Sequence, residues 1–472
     1  MRLRQRLGKT VLVAASGGLV AFALPAQQDT SQALTLKPWT FQVSGVAVAA
    51  ELGRLVVPAN RTAPSKATIN LAFVRIRSTA LEPGAPIVFL AGGPGDAGTQ
   101  AIRRMPTAFL DDLLAIGDLI AIDQRGTGMS GPGSMLCPPG TQWPMDEPTD
   151  TAAVLKELRT RVATCLADVG RRGVDVRGLT TTESADDIEA LRIALAAPQF
   201  SLYAGSYGTH LALVTTRRHR GAISRMALLG VEGPDHTLKL PSRVDTVLAR
   251  IAAARYPSLL HDIDALRTRL AKSPMSAVYP SDRRVTFGEW DVMRFIFESL
   301  DTGREIDRLL QAIPEMLSGN FRGMGSGVGF RVARPLNLMN LAMDCASYAS
   351  TERLAQIRRD IPRATLGEAI NFPVPQLCGV AGLPRLPDDF RTPVISDVPT
   401  LLVSGTFDGR TPVENAVEIA QTLPNAQQLI IDGASHDVFG RPEAMRAVLE
   451  FFRGGLSEAQ RRAPVYRRPP PN

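Results

Sequence analysis

Residues 200–208 read F-S-L-Y-A-G-S-Y-G, an apolar run that ends in small residues around Ser206. The next six residues have the length and apolar spacing of a buried helix. A strand that turns at once into a helix at a serine holds that serine in a strained conformation, so its neighbours must be small. Gly205 and Gly208 meet this requirement, and Ala204 stands where such turns usually have glycine. The stretch therefore predicts that Ser206 is an accessible nucleophile.

Two later segments supply the partners that a serine nucleophile needs. A serine hydroxyl attacks efficiently only when a histidine takes its proton and a carboxylate orients that histidine. Asp408 lies in G-T-F-D-G after a buried-strand pattern, and His436 lies in G-A-S-H-D after the next one. This order predicts a catalytic triad of Ser206, Asp408 and His436. The alternative is that Asp408 is a turn residue and His436 a neighbour of a helix cap.

Serine catalysis also needs hydrogen-bond donors for the oxyanion, each worth about 3–4 kcal/mol. The turn itself offers the backbone N–H of Tyr207, directly after the serine. The glycine-rich loop 92–95 follows a buried-strand pattern, and glycine leaves backbone N–H groups open to a substrate. We expect the N–H groups of Gly93 and Tyr207 to form the oxyanion hole.

Buried-strand patterns alternate with helical patterns through most of the chain. Continuous apolar runs typical of parallel strands covered on both faces lie at residues 86–91, 118–123, 200–205, 224–230, 398–404 and 428–431. Two earlier runs, 47–57 and 69–77, predict a hairpin at the start of the sheet. The alternation predicts a mostly parallel sheet with helices on both faces.

The pattern changes between residues 234 and 394, where helical periodicity dominates. We expect an inserted helical cap there, lying over the strand ends and selecting the substrate. The complete division predicted is a signal peptide (1–26), a first part of the core (40–233), the cap (234–394), a second part of the core (395–455) and a disordered Pro/Arg tail (456–472).

Composition limits the partners of the chain. Its 472 residues, 44% hydrophobic and 21% charged, suffice for an α/β core with one inserted domain. The excess of basic residues that gives the net charge of +7 lies at the two ends of the chain, so we expect no nucleic-acid partner.

The first residues have the pattern of a secretory signal. A basic start precedes an apolar run over residues 11–24, and small residues suited to cleavage follow. This run is shorter than the roughly twenty residues that span a bilayer. We expect a secreted or periplasmic protein with no stable membrane span after signal removal; an uncleaved anchor is the alternative.

Export makes the four cysteines candidates for disulfide bonds. Three pairings are possible, and sequence proximity favours Cys137–Cys165 and Cys345–Cys378. Four free thiols are the alternative. No C-x-x-C spacing indicates a metal site, and we expect neither a metal nor another cofactor.

Several motifs together carry a resemblance to a known family. They are G-G-P-G (92–95), D-Q-R-G-T-G-M-S (123–130), T-T-E-S-A-D-D (181–187) and G-S-Y-G-T (205–209), with the segments around Asp408 and His436. The chain resembles secreted α/β-hydrolase peptidases of the prolyl and tripeptidyl aminopeptidase (TAP-like) type. The resemblance implies an α/β-hydrolase fold with a mostly parallel sheet and an inserted helical cap, the same triad and oxyanion hole, and the same two cysteine pairs. It also implies that Arg125 supports the active-site loop without touching substrate.

The chain departs from this family at three places. Ala204 replaces a glycine, and Leu229-Gly230-Val231-Glu232 stands where relatives often read L-D-G-V. Cys378 is followed by Gly-Val-Ala, where relatives often have a tryptophan nearby. These changes spare the triad and concern the substrate pocket.

An aminopeptidase needs a carboxylate for the substrate ammonium. The candidates are Glu232, Asp344 and Asp96, and the alternative for each is a solvated or structural charge. We expect a serine aminopeptidase acting on peptides. The first alternative is an esterase or amide hydrolase acting on small substrates. A non-catalytic binding protein is a weaker alternative, because all three triad residues are present.

Overall fold

A computed structural model of the chain describes residues 34–454, except 64, 134, 141–142, 280–282 and 325–334. The predicted signal peptide and the predicted Pro/Arg tail lie outside the described residues. Within the described ranges, no helix combines the length and apolarity needed to span a bilayer.

A nine-stranded sheet lies at the centre of the described residues, in the order β1-β2-β3-β5-β4-β7-β8-β12-β13. Its strands are β1 (Leu34–Val43), β2 (Val46–Pro58), β3 (Thr68–Ile76), β4 (Ile87–Leu90), β5 (Leu119–Asp123), β7 (Phe200–Gly205), β8 (Ile223–Leu229), β12 (Thr400–Gly405) and β13 (Ala426–Ile431). Strands β1, β2, β3 and β5 pair antiparallel, and all pairs from β5 to β13 are parallel. The predicted mostly parallel sheet is confirmed, and β1 is an addition to the predicted hairpin.

Helices cover both faces of this sheet. The helices are α1 (Gly98–Ala101), α2 (Thr107–Leu114), α3 (Thr151–Arg171), α4 (Thr181–Ala194), α5 (Tyr207–Arg218), α6 (Pro241–Arg255), α7 (Leu259–Lys272), α8 (Glu289–Ser299), α9 (Gly303–Leu317), α10 (Leu338–Ser347), α11 (Thr351–Asp360), α12 (Val374–Leu377), α13 (Val413–Ala420) and α14 (Pro442–Arg453). Apolar residues of α2 and α14 pack on one face, and those of α4, α5 and α13 pack on the other. Residues of β5, β7 and β12 are therefore buried throughout.

Residues 234–394 contain two kinds of packing. Helices α6 to α9 enclose a hydrophobic core of their own, which includes Leu248, Ile263, Ile296 and Ile313. Helix α10, by contrast, packs into the main core beside the sheet. The segment also contains the antiparallel hairpin of β9 (Met275–Tyr279) and β10 (Arg283–Phe287), whereas the sequence predicted helices alone. Both strands contain exposed residues, so neither gives the continuous apolar run of a buried strand. The cap boundaries at 234 and 394 stay a prediction.

Two disulfide bonds join the pairs that sequence proximity favoured. Cys137, in the short strand β6 (Leu136–Cys137), is bonded to Cys165 of α3. Strand β6 pairs with β11 (Leu336–Asn337), which leads directly into α10. Cys345 of α10 is bonded to Cys378, the residue after α12. The second bond therefore fixes α10 to the end of α12.

A buried ion cluster lies beneath the loop that follows β5. The guanidinium of Arg125 is fully buried and donates to both carboxylate oxygens of Asp187, at 2.7 and 2.8 Å. Asp187 also accepts a hydrogen bond from Arg61, which binds Glu183 as well. Arg125 further donates to the carbonyl oxygen of Gly178 at 2.8 Å. Arg125 thus fixes the loop to α4 through protein contacts, as the resemblance implied.

Candidate active site

Ser206 occupies the sharp turn between β7 and α5, with φ of 52° and ψ of −128°. Close packing explains the small residues beside it. A Cβ on Gly205 would lie 2.3 Å from the ring of Phe439, and one on Gly208 would lie 2.2 Å from the carbonyl oxygen of Leu90. The methyl group of Ala204 is accommodated within β7, where the residue is fully buried. The strand-turn-helix prediction is confirmed by this geometry.

The structure brings the three predicted triad residues into one hydrogen-bonded chain. His436 Nε2 lies 3.0 Å from Ser206 Oγ, and His436 Nδ1 lies 2.9 Å from Asp408 Oδ2. Asp408 follows β12 and His436 follows β13, two neighbouring parallel strands. Both side chains therefore reach the same edge of the sheet as Ser206. This arrangement allows the imidazole to accept the serine proton while the carboxylate orients it.

Thr411, which the sequence analysis missed, completes the support of the acid. Its Oγ1 donates to Asp408 Oδ2 at 2.7 Å and lies 3.2 Å from His436 Nδ1. Backbone N–H groups of Arg410 and Thr411 donate to Asp408 Oδ1 at 2.8 and 2.7 Å. The spacing D-x-x-T after a strand is typical of an aspartate turn, which was the signal available in the sequence.

These contacts act on the ionisation of both partners. Burial alone would raise the pKa of Asp408, but His436 and the bonds from Thr411 outweigh it and hold that pKa below its usual value. Burial alone would lower the pKa of His436, but the charge of Asp408 outweighs it, so that pKa is raised. The lowered pKa favours the ionised form of Asp408, and the raised pKa favours the protonated form of His436.

The predicted oxyanion donors belong to residues near the serine. Tyr207 is the first residue of α5, so its N–H has no acceptor within the helix. Gly93 has φ of +107° and lies in the cavity wall that contains Ser206. Its neighbour Gly92 makes the closest approach, since a Cβ there would lie 2.9 Å from Ser206 Cβ. Glycine at 92 and 93 therefore leaves the backbone of this loop open to a bound substrate.

A cavity of about 680 Å³ opens over Ser206 and His436. Part of its wall comes from residues 234–394, as expected, through Thr237, Leu238, Lys239, Arg294, Phe297, Asp301, Asp344, Ile370, Asn371, Phe372 and Val374. Further wall residues come from the core; they are Ala101, Ile102, Arg104, Met105, Pro106, Phe109, Phe439 and Met445. Residues 234–394 and the core therefore both line the cavity, and selection of the substrate by the insert stays a prediction.

All three predicted ammonium-binding carboxylates line this cavity. Glu232 is buried and Asp344 is partly buried, whereas Asp96 is exposed. Burial and, to a smaller extent, the charge of Glu232 raise the pKa of Asp344 to about 7. Burial also raises the pKa of Glu232, while Lys239 counteracts the rise at both carboxyl groups. Glu232, Asp344 and Lys239 therefore form one interacting charge cluster in the cavity.

His210, which the sequence analysis left unassigned, lies beside Glu232. Its Nδ1 is 3.8 Å from Glu232 Oε1 and is buried without a hydrogen bond among the described residues. Burial lowers the pKa of His210 to about 3, so the ring is neutral and packs against Tyr207. The departure at Gly230 also has a physical reason, because a Cβ there would lie 3.1 Å from His436 Cε1.

In the described part of the chain, no group of three or more His, Cys, Asp or Glu residues could hold a metal ion. The chemistry available at the site comes from Ser206, His436, Asp408 and the charge cluster.

The chain matches the family model of the alpha/beta hydrolase fold over residues 85–440. It is 24% identical over 438 residues to a tripeptidyl aminopeptidase of Streptomyces lividans, covering 83% of this chain and 78% of that protein. It is 25% identical to a proline iminopeptidase of Arabidopsis thaliana, covering 44% of this chain and 45% of that protein. A serine protease, Hip1, of Mycobacterium tuberculosis is 24% identical, with 39% of this chain and 36% of that protein covered. The matched model extends over most of the described core, and the chain belongs to the α/β-hydrolase fold family.

Proposed function

We propose that the chain is a secreted serine aminopeptidase that releases N-terminal residues or short peptides. The single observation that carries the proposal is one cavity that contains both the Ser206–His436 pair, 3.0 Å apart, and the carboxyl groups of Glu232 and Asp344. The first pair supplies acyl-transfer chemistry, and the second supplies a counter-charge for a substrate ammonium. Relatives named as a tripeptidyl aminopeptidase, a proline iminopeptidase and a serine protease support the same function.

In the proposed mechanism, Ser206 Oγ attacks the scissile carbonyl carbon while His436 Nε2 accepts the hydroxyl proton. Asp408 stabilises the resulting imidazolium, and the N–H groups of Tyr207 and Gly93 stabilise the oxyanion. His436 then gives its proton to the departing amine, and an acyl-enzyme ester remains on Ser206. Water, activated by the same imidazole, hydrolyses the ester and restores the serine hydroxyl.

The charge cluster suits one additional positive charge. Glu232 and Asp344 carry two negative charges when ionised, and Lys239 balances one of them. A substrate ammonium would neutralise the remaining negative charge and lower the pKa of both carboxyl groups. A blocked N-terminus would leave that charge uncompensated in a partly desolvated cavity, which is unfavourable.

Secretion is part of the proposal and has two supports. The two disulfide bonds are typical of oxidising compartments. The N-terminal sequence has the pattern of an export signal. Sequencing the N-terminus of the protein recovered from the periplasm or medium would test this point, and recovery of the uncleaved chain in the cytoplasm would contradict it.

The nucleophile is tested with a fluorophosphonate probe and the Ser206→Ala variant. We expect the probe to label the wild-type chain at Ser206, and the variant to lose labelling and hydrolysis by several orders of magnitude. A thermal melt of the variant serves as the folding control. Hydrolysis retained by a folded Ser206→Ala protein would overturn the proposed mechanism.

Amine recognition is tested with one peptide amide in free and N-acetylated forms. We expect the wild-type enzyme to prefer the free amine, and Glu232→Gln and Asp344→Asn to reduce that preference by about tenfold or more. Asp96→Asn is the matched control, because Asp96 lines the same cavity but is exposed. Equal kcat/KM for the two forms, with turnover of short acyl esters, would replace the aminopeptidase by an esterase or amide hydrolase.

A further inference from the structure

The cavity carries a positive charge beside the catalytic histidine that the proposed mechanism does not use. Arg410 lies two residues after Asp408 and lines the cavity with Ser206 and His436. Its side chain is 24% exposed. The backbone N–H of His436 donates to the carbonyl oxygen of Asp301 at 2.8 Å, and the Asp301 carboxylate lies 3.7 Å from Arg410 Nε, so Arg410 lies near the catalytic histidine.

The guanidinium of Arg410 is only partly engaged by protein groups. Nη2 donates to the carbonyl oxygen of Glu298 at 3.1 Å, and the group lies 4.8 Å from the centre of the Phe297 ring. Nε is 3.7 Å from the Asp301 carboxylate, which is too long for a hydrogen bond. Neither Nε nor Nη1 makes a hydrogen bond to another residue that the structure describes. Arg410 therefore retains donors for an incoming acceptor.

A second guanidinium adds positive charge to the same wall. Arg294 lies 5.5 Å from the same Phe297 ring, but its Nη1 donates to the carbonyl oxygens of Ala369 and Phe372 at 2.7 and 3.0 Å. Arg294 also binds the side chain of Glu298. Arg294 therefore contributes charge to this end of the cavity, while Arg410 offers hydrogen bonds.

Proton transfer determines which part of a substrate approaches Arg410. His436 gives its proton to the departing amine, so the leaving group lies beside the imidazole. The substrate ammonium belongs to the acyl part and pairs with Glu232 and Asp344. A carboxylate that ends a short leaving group can then form the charge-assisted, two-pronged contact that guanidinium favours.

We propose that Arg410 binds the α-carboxylate of the leaving group, so that the enzyme prefers dipeptides and other short peptides with a free C-terminus. This inference rests on the proposed function, since it requires an aminopeptidase whose leaving group is a peptide or amino acid. It assigns a substrate class to the cavity that neither the triad nor the ammonium site determines.

The experiment compares three substrates with the same N-terminal residue. The first is a dipeptide with a free C-terminus, the second is the same dipeptide as its C-terminal amide, and the third is the aminoacyl p-nitroanilide. We expect the wild-type enzyme to give a kcat/KM about tenfold or more higher for the free acid than for the amide. In Arg410→Gln this ratio should fall to about one. Arg410→Lys keeps the positive charge but cannot form the bidentate hydrogen bonds of a guanidinium, so it should give an intermediate ratio.

The outcomes separate binding from a structural role. If Arg410→Gln lowers kcat/KM for all three substrates by one factor, Arg410 only fixes α8 to the acid loop, and the proposal is overturned. A wild-type enzyme that treats acid and amide alike would also overturn it. Arg104→Gln tests an exposed arginine that also lines the cavity. If this variant loses the preference for the free acid over the amide, the assignment to Arg410 is rejected. Failure of the wild type to cleave any of the three substrates, or any of their counterparts with a tripeptidyl acyl part, would instead overturn the proposed function itself.

Discussion

One added methyl group at Gly230 tests how closely the catalytic histidine is held. Gly230 follows β8 with φ of +58°, and a Cβ there would lie 3.1 Å from Cε1 and 3.3 Å from Nδ1 of His436. Contacts this short require the ring to shift by a few tenths of an ångström. Because a misplacement of 1 Å can cost about 100-fold in rate, we expect Gly230→Ala to lower kcat by about three- to tenfold.

Gly367→Ala is the matched control for this change. Gly367 has φ of +54°, and a Cβ there would meet no atom within 4 Å. Both variants carry the same backbone cost of about 1–2 kcal/mol for alanine in the left-handed region. Their melting temperatures should therefore fall alike, whereas only Gly230→Ala should slow ester hydrolysis and the labelling of Ser206 by a fluorophosphonate. Equal activities of the two folded variants would refute the argument that Gly230 makes room for His436.

Three further predictions concern the acid, the charge cluster and the disulfides. Thr411→Val removes one of the bonds to Asp408, and kcat should fall about tenfold with little change in KM; unchanged kcat would contradict this. Burial raises the pKa of Asp344 from 3.8 to about 7, so the folded chain holds a proton that the unfolded chain releases. Stability should thus fall as pH rises through that window, measured by denaturant titration, and Asp344→Asn should weaken the trend; an unchanged pH dependence would refute it. Replacing Cys345 and Cys378 by alanine should lower the free energy of unfolding by about 2–4 kcal/mol. Because Asp344 precedes Cys345, this replacement should also reduce the preference for free amines more than the replacement of Cys137 and Cys165 does.

Strands β7 and β12, which lead to Ser206 and Asp408, could be predicted from sequence because they are buried on both faces. Strands β5, β7 and β12 have no exposed residue, so each one is a continuous apolar run. Strand β1 alternates exposed and partly buried residues over most of its length, and it was missed. Helix α3 was missed as well, because only Val154, Val162, Cys165 and Val169 of its 21 residues are buried. A stripe so narrow gives little periodic signal.

The triad could also be proposed from sequence, because its members follow strands that end at one edge of the sheet. The part of the cavity wall formed by Arg104, Met105 and Phe109 could not be predicted from sequence, because those residues reach the cavity through the packing of α2. The same holds for Arg410, whose partners Phe297 and Glu298 are more than 100 residues away in the chain. Local patterns identified the chemistry, whereas the substrate-facing walls depend on tertiary contacts.

The buried cluster around Arg125 also limits how this sequence can change over evolutionary time. Replacing Arg125 alone would leave the carboxylate of Asp187 buried with less compensation, at a cost of about 3–5 kcal/mol. Replacing Asp187 alone would leave Glu183 as the one carboxylate of the cluster that faces two guanidinium groups, those of Arg61 and Arg125. Apolar side chains of similar volume at these positions could be tolerated only together, so each single step towards them is unfavourable. Descendants of this sequence should therefore keep the whole cluster or lose it as a unit, with substitutions at 61, 125, 183 and 187 coupled to one another.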